Sequence, residues 1–296
     1  MHLNETDLMT LAGLATAAAK EAGALIQSYA HKEIEVHFKP EYANMSMSSQ
    51  VVTEVDELSQ SLILKHLQPT VDRYDLALLT EESEDDGSRH AKDYFWCIDP
   101  MDGTLPFTQG IPGYSVSIAL VARDGQPMIG VVYDPVKDKL YRAVAGQGIT
   151  INGAAWMPPK PENPFAQPLR FYCDCTFERH PDRDTIIAQM EAFAMKLGYA
   201  GLSVQSGGGG VLNACWVLEH APACYFKKPK IKTGGGSLWD FAATACLFQE
   251  GGAYGRDFAG HALDLNRADS TFMNHRGVLF TSDHDLGRQI RETFRR

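Results

Sequence analysis

The run Trp96-Cys97-Ile98-Asp99-Pro100-Met101-Asp102-Gly103-Thr104 drives an apolar strand straight into a carboxylate, and a second carboxylate follows three residues later. Pro100 stops the strand ladder, so both acids sit where the chain must turn. Hard oxygen donors at such a turn suit Mg²⁺, which takes carboxylates together with waters and a substrate phosphate. Gly103 permits close backbone approach, and the N–H groups of Gly103 and Thr104 can point at an anion. The same residues also read as an Asp-Pro turn followed by an Asp-Gly turn, so this run alone leaves metal site and surface turn open.

Two other segments add acids. Leu78-Leu79-Thr80 delivers Glu81 from a strand end, whereas Glu84, Asp85 and Asp86 read as a solvated acidic loop. Gly234-Gly235-Gly236-Ser237-Leu238-Trp239-Asp240 leads into an alanine-rich helix, with Asp240 in its first turn. The helix dipole favours a carboxylate there whether or not it binds metal. Ala242, Ala243 and Ala245 let that helix pack closely, and Gly251-Gly252 ends it. Just upstream, Lys227, Lys228, Lys230 and Lys232 form a basic cluster, either a solvated loop or a receptor for a second anionic group.

The elements that must hold these residues follow from periodicity. Leu8, Leu11, Ala15, Ala18, Ala22, Leu25 and Ile26 recur at helical spacing, which predicts an amphipathic helix ending near Ser28. A second is expected over residues 53–67, with Thr53 as N-cap and Val55, Leu58, Leu62 and Leu67 as its apolar face. Strand-like runs then cover 94–98, 115–121, 128–133 and 140–143, with Asp124-Gly125 suited to a hairpin. This half reads as an antiparallel sheet with helices on one side.

Five prolines within residues 157–168 mark a boundary between residues 1–156 and 157–296. Beyond it strands and helices alternate, at 170–173, 182–197, 199–204, 211–219, 224–226, 239–250, 278–281 and a terminal helix. The second half is therefore expected to form an α/β layer.

The whole chain bounds the chemistry. Its 296 residues, 44% hydrophobic and 22% charged, are ordinary for a globular protein. A net charge of -10 argues against a nucleic acid polymer as partner but leaves small phosphates open, since metal ions can meet their charge. No apolar stretch approaches ~18 residues and no signal peptide is evident, so no membrane partner and a cytoplasmic location are expected. Cys97, Cys173, Cys175, Cys215, Cys224 and Cys246 lack paired metal-binding spacing and read as buried, reduced thiols.

Together with Val52-Thr53-Glu54-Val55-Asp56, the three acidic segments resemble the inositol monophosphatase family of lithium-sensitive, magnesium-dependent phosphatases. Their order and spacing match from Asp56 to Gly252. The resemblance implies a layered α-β-α-β-α sandwich of the α+β class, its antiparallel half followed by the α/β half. It also implies two or three Mg²⁺ ions. Glu81, Asp99 and the Met101 carbonyl would hold one, Asp99, Asp102 and Asp240 a second, and a weaker third would lie near Glu81. Thr104, paired with Asp56, would orient and help deprotonate an attacking water.

Departures from the family pattern fall where substrate would lie. Leu105-Pro106 replace a polar pair before Phe107, and Gly208, Gly209 and Gly210 replace a stretch with a hydroxyl-bearing residue. Tyr225-Phe226-Lys227 aligns where the family carries an acidic residue that binds inositol hydroxyls. The expected activity is magnesium-dependent hydrolysis of a phosphate monoester on a small phosphorylated metabolite, an inositol phosphate or 3'-phosphoadenosine 5'-phosphate. The lysines are somewhat similar to a region of the bisphosphate nucleotidases. A homodimer is the candidate assembly. The rival expectation is a non-catalytic descendant that binds or regulates; lost metal ligands would be its signature, and none is lost.

Overall fold

A stripe of alanines along the first helix, α1 (Glu5–Tyr29), brings it close to its neighbours. Ala12, Ala15, Ala18, Ala19 and Ala22 are buried together with Leu11 and Ile26, and Asn4 and Asp7 form a reciprocal capping box at its start. The structure, a computed structural model, describes residues 2–32, 35–38 and 51–294.

Two short strands, β1 (Val36–Phe38) and β2 (Val51–Thr53), pair antiparallel, and Thr53 then caps α2 (Glu54–Tyr74). This helix continues past Leu67 and the exposed Pro69, and stops where Asp75 turns left-handed at φ 50°. Leu58 does not belong to its buried face, being 40% exposed. Ser59 and Gln60 turn inward instead, because they serve the polar site described below.

A seven-stranded sheet runs β3 (Ala77–Thr80), β4 (Tyr94–Asp102), β5 (Ser115–Ala122), β6 (Pro127–Asp134), β7 (Lys139–Val144), β8 (Gly148–Ile151), β9 (Ala154–Trp156). β3 is parallel to β4 and the other neighbours are antiparallel. A short helix, α3 (Thr104–Thr108), lies between β4 and β5. After residues 157–168 come β10 (Leu169–Asp174), α4 (Arg183–Leu197), β11 (Leu202–Gly208), α5 (Gly210–Glu219) and β12 (Ala223–Lys227). The chain ends with α6 (Leu238–Glu250), β13 (Tyr254–Arg256), β14 (Val278–Thr281) and α7 (His284–Phe294). These strands form a second sheet in the order β11-β10-β12-β14-β13, with β10 parallel to β11 and β12.

Helices cover both faces of the first sheet, as the family resemblance implies, and not one face only, as periodicity alone reads. β4 shows why: Tyr94, Trp96 and Ile98 pack into one core with α1 and α2, while Phe95 and Cys97 enter another with α5 and α6. A strand apolar on both faces needs a cover on each. The second core also takes Tyr225, Val278 and Phe280 from the second sheet, so it draws on residues from both sides of the proline-rich stretch. A third core joins the outer face of that sheet to α4 and α7. The result is five alternating layers, helix, sheet, helix, sheet, helix. The middle layer sits tightly on the first sheet, since a Cβ at Gly130 of β6 would lie 2.3 Å from the Ala243 carbonyl of α6.

The six cysteines are free; Cys175 is half-buried and the others buried. Among the described residues, no helix is long and apolar enough to cross a membrane.

Candidate active site and metal centre

The first turns of α2 pin three segments at once. Asp56 accepts from the Thr53 amide at 2.8 Å and the Thr53 hydroxyl at 2.7 Å through Oδ2, leaving Oδ1 to accept from the Thr104 hydroxyl at 3.0 Å. The Thr104 hydroxyl also lies 3.2 Å from the Met101 carbonyl. One turn on, Ser59 donates to the Pro100 carbonyl at 2.8 Å. Gln60 donates to Ser83 Oγ at 2.9 Å and accepts from the Glu82 amide at 3.2 Å. Inward polar residues on this helix therefore fix the turn after β4 and the loop after β3.

β4 loses register with β5 between Asp99 and Asp102, and Gly103 follows at φ 88°. That irregular exit turns both carboxylates into the same space; the Met101 amide donates to Asp99 Oδ1 at 3.0 Å. Asp240 enters from the opposite side, in the first turn of α6, where it accepts from the Ser237 amide at 2.8 Å. Carboxylate oxygens of Asp99, Asp102 and Asp240 lie within 4.8 Å of one another.

The start of α5 clamps Asp102. The amides of Gly210 and Val211 donate to its two oxygens at 3.1 and 2.9 Å, a carboxylate at a helix N-terminus. Gly209 makes this approach possible: its φ of -66° suits any residue, but a Cβ there would lie 2.3 Å from Asp102 Oδ2. The Gly209 amide itself donates to the Gly113 carbonyl at 2.8 Å.

Burial raises the pKa of Asp56, Asp99, Asp102 and Asp240. Asp56 is pushed to about 6, first by burial and then by Glu81. Asp99 stands well above the carboxylate range because it is buried and faces Glu81, Asp102 and Asp240. Asp102 is likewise raised by burial and by Asp240, despite its amide donors. Asp240 reaches about 6 through burial, partly offset by Lys227. Such a set of hard, mutually repelling oxygens is costly unless cations neutralise it, and it fits a divalent ion such as Mg²⁺.

The pocket brings together Glu81, Asp99, Met101, Asp102, Gly103, Thr104, Gly208, Gly209, Gly210, Lys227 and Asp240. Asp56, only 1% exposed, stands behind Thr104 and reaches the pocket through its hydroxyl. Of the lysine cluster, Lys227 alone lines this pocket among the described residues. Lys228 borders a separate cleft with Phe193 and Phe294, which scatters the cluster over two surfaces. Of the acidic loop, Glu84 and Asp86 are exposed, in keeping with a solvated loop, whereas Asp85 is half-buried and pairs with the buried Arg89 at 2.9 Å.

Sequence reasoning missed Asp174. Its Oδ2 lies 2.9 Å from Lys227 Nζ, and its Oδ1 accepts from the Tyr225 hydroxyl at 2.8 Å and the Asn213 amide at 3.3 Å. Burial works against the Lys227 charge, but Asp174, Asp240 and Asp102 outweigh it and raise the pKa of the ammonium. Cys175, Ser237 and Phe272 also border the pocket. The signal for Asp174 was its place at the carboxyl end of a strand with parallel neighbours, where open α/β sheets bind ligands.

Five alternating layers with an acid-lined pocket at the seam between the two sheets define a layered α+β protein with a candidate metal site. A model of the inositol monophosphatase family matches residues 7–294, and the chain belongs to that family of phosphatases. It is 30% identical over 252 residues to Nus factor SuhB of Pasteurella multocida (strain Pm70), covering 83% of this chain and 85% of that protein. It is also 30% identical over 256 residues to inositol monophosphatase 1 of Solanum lycopersicum, covering 86% of each. The solved inositol monophosphatase of Anabaena (Nostoc) sp. PCC 7120 superposes with a TM-score of 0.69 at 24% identity, over 97% of both chains.

Proposed function

We propose that this protein is a Mg²⁺-dependent phosphatase that hydrolyses a phosphate monoester on a small metabolite. The single observation that carries this is the Thr104 hydroxyl, bonded to Asp56 at 3.0 Å, in the wall of the pocket that holds the three clustered carboxylates. Glu81, Asp99 and the Met101 carbonyl are assigned to one ion, and Asp99, Asp102 and Asp240 to a second; a third is assigned near Glu81. When bound, such ions offset charge on the phosphate and on the leaving oxygen and lower the pKa of water.

The residues of the chain do the rest. The Thr104 hydroxyl donates a hydrogen bond to Asp56 Oδ1, which leaves its oxygen lone pairs to accept from an attacking water and aim it. As that water attacks, its proton passes to the Thr104 oxygen while the hydroxyl proton passes to Asp56. Asp56 holds the proton relay in one orientation because Thr53 fixes its other oxygen. Gly103 and Thr104 line the place for the phosphate oxygens. Asp102 is prevented from swinging away by the two amides of α5.

On the leaving-group side, the Asp174–Lys227 pair and Gly208 to Gly210 replace an acidic, inositol-binding arrangement. This supports a substrate with a second anionic group, such as 3'-phosphoadenosine 5'-phosphate, beside or in place of an inositol phosphate. The relative named as a Nus factor favours a regulatory role as a second reading; with every carboxylate retained, such a role would accompany catalysis. The test is phosphate release with Mg²⁺ from phosphorylated nucleotides, inositol phosphates and sugar phosphates. Release from one class, abolished by a chelator, is expected. No release from any, or release indifferent to chelation, would overturn the proposal.

A further inference from the structure

Among the described residues, Arg89 is the largest charged side chain that is fully buried. It lies outside the pocket lining, and nothing in the proposed chemistry uses it. Its guanidinium meets three acceptors: Nε donates to Asp85 Oδ2 at 2.9 Å, one Nη to Asn266 Oδ1 at 2.6 Å, and the other Nη to the Arg267 carbonyl at 2.9 Å. Asn266 answers by donating to the carbonyls of Arg89 and Arg123 at 3.3 and 2.8 Å. Burying a guanidinium is costly without such partners, so this junction has one well-satisfied geometry.

The junction joins two parts of the site that are remote in sequence. Asp85 shares a short loop with Glu81, whose amide donates to the Ile98 carbonyl at 3.2 Å. The segment that receives Arg89 continues through residues 266–274, and there it holds the loop that carries Asp240. The Leu238 amide donates to the Thr271 carbonyl, the Met273 amide to the Gly236 carbonyl and the Lys230 amide to the Asn274 carbonyl, each at 2.9 Å. One strap therefore fastens both acid-bearing loops.

We propose that Arg89 is a positioning residue for the metal centre: by tying the Glu81 loop to the 266–274 strap, it sets Glu81 against Asp240. The proposal rests on Glu81 being a metal ligand. Arginine suits the role because its planar fork serves three acceptors in fixed directions, which the single ammonium of lysine does not.

Mn²⁺ binding to the full chain, read by electron paramagnetic resonance, tests this without reference to turnover. Arg89→Lys should weaken Mn²⁺ binding by up to roughly 10-fold, the low end of what partners bonded directly to a ligand contribute, because Arg89 acts through Asp85 and the strap and touches no ligand. Glu81→Gln should also weaken it, and Arg89→Lys added to Glu81→Gln should cost nothing further, because residues acting through one group are not additive. Asn266→Ala breaks the same junction at a half-buried position, should reproduce the Arg89→Lys loss, and serves if Arg89→Lys does not fold. Wild-type affinity in Arg89→Lys and Asn266→Ala, or an equal further loss in the Glu81→Gln background, would overturn the positioning role alone. Wild-type affinity in Glu81→Gln would overturn both that role and the assignment of Glu81.

Discussion

Lys227 Nζ lies 2.9 Å from Asp174 Oδ2, so the basic side chain that lines the pocket is already half of an ion pair. Its charge is shared between a partner within the protein and any anion brought by the substrate. Lys227→Ala should therefore raise KM for 3'-phosphoadenosine 5'-phosphate far more than for inositol 1-phosphate, because charged hydrogen bonds contribute about 1.5–3 kcal/mol. Lys230→Ala should change KM less than Lys227→Ala does, since Lys230 is exposed and outside the pocket lining yet near enough to Lys227 and Asp174 to interact with their charges. Steady-state kinetics on both substrates decide it; equal KM changes would remove Lys227 as a specificity element.

Asp99 faces three other acids in a buried setting. Asp99→Asn should raise the Tm of the metal-free protein by relieving that repulsion, yet abolish most of the stabilisation that Mg²⁺ adds and nearly all turnover. Calorimetry with and without Mg²⁺ reads both signs. A Mg²⁺-induced Tm gain equal to that of wild type would exclude Asp99 from the metal centre.

Thr104→Ala should lower kcat by ~10²–10⁴-fold, the usual worth of assisted proton transfer, with Mn²⁺ binding near wild type. Thr104→Ser keeps the hydroxyl and should recover much of the rate. If the alanine variant turned over normally, the Asp56–Thr104 relay would be unnecessary.

Asp56 and Asp240 each have a folded pKa of about 6, against 3.8 for the ordinary group. Their protonated forms favour the metal-free fold, so that contribution is present at low pH and is lost as pH rises from about 4 through about 6. Of the two, Asp240 is a proposed metal ligand and must ionise to bind, so the Mg²⁺-induced Tm gain should grow over the same window. Thermal melts at pH 5, 6 and 7 suffice; a gain independent of pH would contradict the raised values.

Gly209→Ala should be destabilising and should weaken Mn²⁺ binding, because the new methyl group would occupy the space of the Asp102 carboxylate, not because of backbone strain. Gly252→Ala, at φ 65° with open space around it, supplies the opposite control. Denaturant unfolding and Mn²⁺ titration separate the two; loss of binding in Gly252→Ala alone would reverse the argument.

Local pattern made much of this legible. Helical spacing placed α1, and the Asp99 to Thr104 turn showed itself because a strand, a proline and two acids are contiguous. Leu58 misled for a physical reason: its spacing is that of a core position, but the site pulls Ser59 and Gln60 inward and rotates it to solvent. The second helical cover on the first sheet came only from the family resemblance, not from periodicity, and the Asp174–Lys227 pair and the Arg89 junction with Asn266 were out of reach of both. Each joins residues far apart along the chain, and only tertiary packing selects those partners. Within the lysine cluster, Lys227 enters the pocket wall while Lys228 borders a separate cleft, a divergence after β12 that adjacency in sequence does not show.

The middle helical layer has a consequence for the order of events during synthesis. Asp99 emerges on a strand early in translation, and Asp240 emerges on a helix much later, after most of the second sheet has been made. The two meet only when that helix has docked between the sheets. A divalent ion that needs both carboxylates would therefore find its full set of ligands only once the two sheets have closed on the layer between them.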